Sequence, residues 1–427
     1  MKTSAISSAT RGWCLLAVGA LAVAGVLALL LAASRTPGIQ DRLPWGPDFF
    51  HKGLVTHVVF SFQVWFLAML GALAGSPNRW PLRLALAGAG LLLVPTLAGW
   101  GEASLNNYVP ILDHPLFFAG LIALAAGVGT ATAPTLLALR ADTPPARFGL
   151  AATAACLWSA LACFALAAWL MPAGTDRPLM AERLFWGGGH VLQFANTALM
   201  MAGWVALSQA AFGRPPLPPA LARATFAALV LAALAAPLLY RFDLLGLPHR
   251  QAFTQLLWYG LPLPPLVMGA GVAWLLIRNR GAGRPPARLA LALSLAVFAL
   301  GGGAGFFLGV ADTRTPSHYH AVIAGVNLTL MGLMHVELLP TARPNRWTWM
   351  QFHLYGWGQL LHAAGFYVAG LAGVARKTAG AEQGLHGALQ TAAMAAVGLG
   401  GAVAVLGGVV FVLQVLARLL TREPAHG

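Results

Sequence analysis

Apolar residues run along this chain in long stretches broken by Pro, Gly and single charges, and twelve such stretches can be read: about 13–33, 54–75, 82–100, 115–138, 148–171, 184–211, 221–240, 252–277, 286–310, 318–340, 349–374 and 387–417. Crossing about 30 Å of hydrocarbon takes a helix of roughly 20 residues, a length these stretches reach. The strict alternation of barrel strands is missing, so helices are expected to satisfy the backbone polar groups. The pattern predicts an all-α, polytopic membrane fold of about twelve transmembrane helices. Connections are short and no internal repeat or low-complexity tract stands out, so residues 1–427 are expected to form a single transmembrane domain. The first stretch follows Lys2 and Arg11 and ends near Ala32-Ala33-Ser34, which imitates a secretion signal. It is long for one and is read as a spanning helix.

Composition agrees with the pattern. The chain is 58% hydrophobic and 9% charged, with a mean hydropathy of +0.72, which excludes disordered, collagenous and disulfide-scaffold classes. A net charge of +14 would suggest a nucleic-acid partner in a soluble protein, but the charges sit singly between apolar runs. No nucleic acid is expected; the lipid bilayer is. With the N-terminus inside, sixteen of the 26 Lys and Arg fall in inner segments, Lys2, Arg284, Arg343 and Arg422 among them, against three of the twelve acids, Asp142, Glu337 and Glu423. That bias places both termini in the cytoplasm and suggests a bacterial inner membrane. Cys14, Cys156 and Cys163 lie in apolar stretches without CxxC or CxxCH spacing, so they are read as packing residues rather than disulfides or haem attachments.

Twelve histidines in so apolar a chain call for an explanation, because an ionisable group at membrane depth usually marks a cofactor or an ion path. His57, His190, His318 and His320 fall on three helices at similar depth near the outer ends. In Ser317-His318-Tyr319-His320 the two imidazoles are two residues apart, so on a helix they project about 200° from one another. Such spacing suits two flat cofactors flanking one helix; it would also be shown by two polar residues at a helix mouth. Neutral imidazole is a good axial ligand for haem iron.

With these residues the chain resembles subunit I of the haem-copper oxidase superfamily, which includes cytochrome c oxidases, cbb3-type oxidases and nitric-oxide reductases. The resemblance covers the whole chain by helix count. It implies that His57, in Val55-Thr56-His57, and His320 are the axial ligands of a low-spin haem, and that His318 is the proximal ligand of a second, high-spin haem. Trp186-Gly187-Gly188-Gly189-His190 resembles the stretch carrying the helix-six copper ligand, which makes His190 a catalytic-site or vestigial copper residue. Asp312-Thr313 resembles the family's Asp-Thr, one residue closer to the histidine pair than usual. Gly373-Val374-Ala375-Arg376-Lys377 resembles the paired-basic motif that meets haem propionates.

The chain departs from the family where catalysis is made. The adjacent histidines that complete the metal site align with Ala236-Pro237-Leu238-Leu239, so both have become leucine, and His249 would reach the site only from a loop. One imidazole falls short of the donors copper needs, so copper binding is doubtful. The helix interiors contain almost no carboxylate or lysine apart from Glu337, and active pumping is not expected. Thr197, Thr254, Tyr259, Asn327 and Thr329 would support a water chain or simply pack helices. His114, beside Asp113 and before Pro115, reads as a helix cap. Tyr355, Gln359 and His362 share one face of helix eleven and would line a pocket, whereas His335 and His353 lie near the inner surface. His51, His386 and His426 read as interfacial or tail residues.

The resemblance therefore implies a membrane haem protein with two non-covalent haems, whose type the residues leave open, with b favoured over a. An external donor such as a cytochrome c or cupredoxin-like protein would supply electrons, and small partner subunits fit the picture. The second haem would reduce or bind O2 or NO. A non-catalytic haem sensor, carrier or assembly factor of the nitric-oxide-stress type is the alternative, although the Trp-His-x-His-Glu segment of such proteins is not evident. A cofactor-free transporter is a third class.

Overall fold

The computed structural model describes residues 6–281, 283, 286–309, 311–339 and 345–421. Lys2, Arg284, Arg343, Arg422, Glu423 and His426 lie outside the described residues. The helices of membrane length are α1 (Ser8–Ala33), α2 (Asp48–Ala74), α3 (Trp80–Ala98), α4 (Pro115–Leu137), α5 (Pro145–Leu170), α6 (Arg177–Phe212), α7 (Pro219–Arg241), α8 (Leu247–Arg278), α9 (Ala287–Phe307), α10 (Arg314–Leu338), α11 (Arg346–Leu371) and α12 (Ala388–Leu420). Each predicted stretch falls on one of them. By length and composition eleven are apolar enough to cross a membrane. The other is α11, whose buried face carries Thr348, Gln351, Tyr355 and His362. That polar stripe lowers its hydropathy without shortening it.

One element departs from the all-α expectation. Between α3 and α4, β1 (Glu102–Ser104) pairs antiparallel with β2 (Ile111–Asp113). Several helices also change pitch near residues of interest. A wide turn at Val59–Val64 directly follows His57-Val58, and another at Met334–Leu338 carries His335. Wide turns of this kind inside α-helices are common at functional sites.

The chain divides into two compact units, one of residues 1–6, 14–65 and 284–427, the other of residues 7–13 and 66–283. In the first, small residues let helix backbones approach closely, the usual basis of packing in lipid. A Cβ on Gly365 would stand 2.8 Å from the Ala393 carbonyl oxygen and the Val397 nitrogen. Gly358 meets Ala404, Gly400 meets the backbone of His362, and Gly407 meets Tyr355. These contacts hold α11 against α12. Hydrogen bonds add direction: Ser317 Oγ donates to Ala363 O at 2.7 Å, and Trp65 Nε1 donates to Asn327 Oδ1 at 2.8 Å. Asn327 Nδ2 in turn donates to Tyr355 Oη at 2.6 Å. The Ser294 and Thr329 hydroxyls meet at 2.7 Å between α9 and α10. Asn327 and Thr329 thus tie helices together.

In the second unit, Gly88 and Gly120 bring α3 against α4, and Ser159 Oγ donates 2.6 Å to Ala233 O. Tyr259, suggested for an internal water chain, is 84% exposed and lines no interior path. The three cysteines are buried and unpaired by disulfides, as their apolar surroundings suggested.

Candidate functional site

Within the first unit, side chains of α1, α2, α10, α11 and α12 line a cavity. Ala28, Leu31 and Ala32 of α1, Phe50 and Leu54 of α2, Phe366 of α11, and Val397 and Val405 of α12 form its apolar wall. Into this wall project His57, His320, Gln359, His362 and Arg35. A helix-two histidine and the second of the helix-ten pair therefore share one apolar cavity.

The hydrogen bonds decide which ring nitrogens are left over. His57 Nδ1 donates to Ala24 O at 2.9 Å, which leaves Nε2 as the unprotonated nitrogen of the neutral ring. His362 Nδ1 donates to Val397 O at 2.7 Å, again leaving Nε2. Anchoring one ring nitrogen on a backbone carbonyl is how ligating histidines are usually oriented. His320 stacks on Phe366, with centroids 5.4 Å apart, and meets His362 edge-on at 4.7 Å.

His318 faces elsewhere. Its Nδ1 donates to Gly301 O on α9 at 2.7 Å, and its ring rests on Gly305, where an added Cβ would come within 2.8 Å. One imidazole of the pair thus turns to α9 and the other to α11, in keeping with a rotation of about 200° over two helical residues. Four residues that the spacing placed at one depth are sorted into three places: His57 and His320 together, His318 on the far side of α10, and His190 in the other unit.

The loop before α10 is joined to the loop after α11. Asp312 and Ala375 form an antiparallel bridge, Arg376 N donates to Ala311 O at 3.0 Å, and Thr313 Oγ1 donates to Phe366 O at 2.8 Å. The Asp-Thr and basic motifs, 60 residues apart in sequence, are therefore neighbours at the ends of the two helices that flank His320. Asp312 accepts from Nε and Nη2 of Arg314 at 3.1 and 2.8 Å. Hydrogen bonds from that guanidinium hold its carboxyl below the usual carboxylate range. Lys377 has a left-handed backbone, with φ of 63°, uncommon for a residue other than glycine.

Arg35 was not singled out by the sequence, and it is the cation of the cavity. Its Nε donates to Thr378 O at 2.7 Å, and its guanidinium lies 5.3 Å from the Phe50 ring and 5.4 Å from the Phe366 ring. Burial pulls its pKa down to about 10, which still leaves it charged at neutral pH. A lone arginine after an apolar run has no spacing signal; only the long-range contact of residue 35 with residue 378 reveals it.

In the second unit, the glycines of the Trp186 to His190 stretch acquire a structural reason. Gly187, Gly188 and Gly189 admit Tyr240 with Phe253, Phe164, and Tyr108 respectively, each packed against the α6 backbone. His190 Nδ1 donates to Trp186 O at 2.7 Å, and Tyr108 Oη donates to His190 Nε2 at 3.0 Å. Both ring nitrogens are engaged by protein. Burial pushes the Tyr108 phenol pKa up, so it remains a donor at neutral pH. His249, expected on a loop, is instead in the first turn of the helical stretch Leu247–Gly260, fully buried against Tyr240 and Phe253. The Ala236–Arg241 segment is a tight helical turn that exposes Leu238 at 71% and buries Tyr240. Among the described residues no group of three or more His, Cys, Asp or Glu has the arrangement of a metal site.

Three further histidines have ordinary partners. His114 is the N-cap of α4, accepting from Leu116 N at 3.3 Å and stacking on Trp100. His335 donates from Nε2 to Gln351 Oε1 at 3.0 Å and accepts from Arg418 at 3.2 Å. His353 accepts from Trp357 Nε1 at 3.2 Å.

No family model matches the sequence. The chain is 29% identical over 349 residues to an uncharacterized protein of Aquifex aeolicus, covering 76% of this chain and 83% of that protein. It is 22% identical over 495 aligned positions to an uncharacterized protein of Rickettsia prowazekii, covering 95% of each. Among solved structures it is similar to a heme-copper terminal oxidase determined by cryo-EM, with a TM-score of 0.75 and 14% identity, covering 98% of this chain and 85% of that chain. At that identity the likeness is one of fold, and it extends along the whole chain.

Proposed function

We propose that the cavity of the first unit holds a haem, with His57 and His320 as the residues that would hold its iron. The observation that carries this reading is a largely apolar cavity lined by two imidazoles from different helices, one of them with its outer nitrogen already fixed on a carbonyl. The donor set fits iron: neutral imidazoles in an apolar, desolvated surrounding. Held there, a haem would supply a one-electron couple, and a second haem held by His318 would supply binding of a small gas. His318 offers Nε2 for that role because Gly301 O takes its other nitrogen. Arg35, and Arg376 and Lys377 beside the Asp312 loop, supply the positive charge that propionates require.

The corresponding activity is that of a membrane oxidoreductase with a single domain over residues 1–427, twelve spans and cytoplasmic termini. It takes electrons from an external cytochrome c or cupredoxin-like donor and uses them on O2 or NO at the second haem. A bacterial inner membrane and small partner subunits belong to the same reading. Extraction of purified protein with acidified organic solvent tests it: two haems per chain, both released without covalent linkage, are expected. A colourless protein would sink the reading and leave a cofactor-free transporter.

A second reading, a haem carrier or sensor without turnover, draws support from Tyr108. By engaging His190 Nε2, the phenol takes up the one nitrogen with which that histidine would meet a metal. Consumption of O2 or NO by protein supplied with reduced donor separates the two: sustained turnover supports the oxidoreductase, and binding without turnover supports the carrier.

A further inference from the structure

We infer that His362 is a positioning residue: it accepts a hydrogen bond from the outer ring nitrogen of His320 and so sets how strongly His320 binds iron. This rests on the haem reading above. The observation behind it is an imbalance among the histidines. His57 and His318 each place one ring nitrogen on a backbone carbonyl, Ala24 O and Gly301 O, whereas no hydrogen bond reaches either ring nitrogen of His320 among the described residues. A ligating imidazole carries a proton on the nitrogen that does not bind metal, and that N–H almost always finds an acceptor. His320 needs one.

His362 is placed to be that acceptor. Its Nδ1 donates to Val397 O, which leaves Nε2 unprotonated with a lone pair in the cavity. The two rings stand 4.7 Å apart between centroids at 78°. Imidazoles joined by an N–H···N bond of about 3 Å have centroids roughly 5 Å apart, so a small rotation of His320 about its side chain closes the bond. Phe366 limits that rotation, because it covers the face of His320 and the edge of His362 at the same time. The position of His362 is itself fixed by the glycine contacts of α11 and α12: Gly400 abuts its backbone, and a Cβ on Gly401 would stand 3.2 Å from its Nδ1.

The competing acceptor is Gln359 Oε1, which has no partner and belongs to a side chain lining the same cavity. It lies one turn from His362 on α11, but no ring or charge interaction links it to His320. The consequence of the His362 bond is an unequal pair of ligands, one imidazole polarised by a carbonyl and the other by a second imidazole. Polarising the N–H makes the ligand more basic and favours ferric over ferrous iron.

The test uses full-length detergent-purified protein with its native haem and the variants H362L, H362Q and Q359L. Haem retention and the midpoint potential of the low-spin haem are read by optical titration, and ligand strength by the electron paramagnetic resonance of the ferric form. H362L is expected to retain haem about 10- to 100-fold less tightly. Its potential should rise, a tenfold loss of ferric preference corresponding to about 59 mV for one electron. H362Q, which restores an acceptor oxygen, should recover most of both, and Q359L should not reproduce the shift in potential and resonance seen in H362L. If H362L loses its haem altogether, H362Q and Q359L decide the matter: haem kept in H362Q with a shifted potential, and no such shift in Q359L, supports the role, whereas a shift in Q359L alone overturns it. Unchanged potential and resonance in H362L, or a shift in Q359L alone, overturn the role of His362 while the haem reading stands. Wild-type protein without haem removes both.

Discussion

The Tyr108 phenol donates to His190 Nε2 across 3.0 Å, and the other ring nitrogen of His190 is held by Trp186 O. A histidine in this state is a closed donor. Copper content of purified protein should therefore be well below one per chain. Y108F frees Nε2 but adds no further donor, and a single imidazole falls short of the three or four that copper requires. The variant should stay copper-poor as well. Stoichiometric copper in wild type, measured by elemental analysis, would show that Tyr108 yields its place to the metal.

His318 and His320 face different helices, so their substitution should separate two signals. H318A is expected to abolish the part of the reduced spectrum that shifts with carbon monoxide and to leave the low-spin part. Loss of both parts together, in protein that elutes as wild type, would argue against separate sites.

The crossing of α11 and α12 admits no side chain at Gly358 or Gly365. A leucine at Gly358 has to displace the Ala404 backbone, and overpacking of this sort costs about 1–3 kcal/mol. Thermal unfolding in detergent should show the loss. The same variant should weaken haem retention, since His362 and Gln359 sit on the displaced helix. No change in midpoint would mean that the helices separate more readily than their backbone contacts suggest.

These contacts mark the boundary of what the amino-acid pattern made legible. Twelve helices could be read because each apolar run must satisfy its own backbone, a local requirement. The opposite facing of His318 and His320 is also local, since two helical residues fix the angle. What escaped was non-local: Arg35 enters the cavity through a loop 343 positions away, and Tyr108 reaches His190 across 82 positions, from the turn of a hairpin that hydropathy did not suggest. His249 escaped for a different reason. Its helical stretch begins at Leu247-Pro248, and proline in a first turn reads equally well as a loop.

Asp312 is held by the guanidinium of Arg314 at the start of α10 and joins the segment after α11 through its backbone bridge to Ala375. Its carboxyl is held below the ordinary range, so the stabilisation is fully present above the unfolded carboxylate pKa of about 3.9 and is lost as pH falls through the lower folded value. The share of stability owed to Asp312, read as the difference between wild type and D312N, should be level from neutral pH down to about pH 5 and vanish in stronger acid. D312N should lower the neutral-pH midpoint and flatten the acid limb. An acid limb equally steep in D312N would assign it to other carboxylates.

The paired hold of His57 and His320 on one iron has its most direct test in the low-temperature electron paramagnetic resonance of the oxidised protein. Wild type is expected to give a low-spin ferric signal of two imidazole ligands, absent from both H57A and H320A while the signal assigned to His318 remains. Persistence of that low-spin signal in either variant would contradict the shared site.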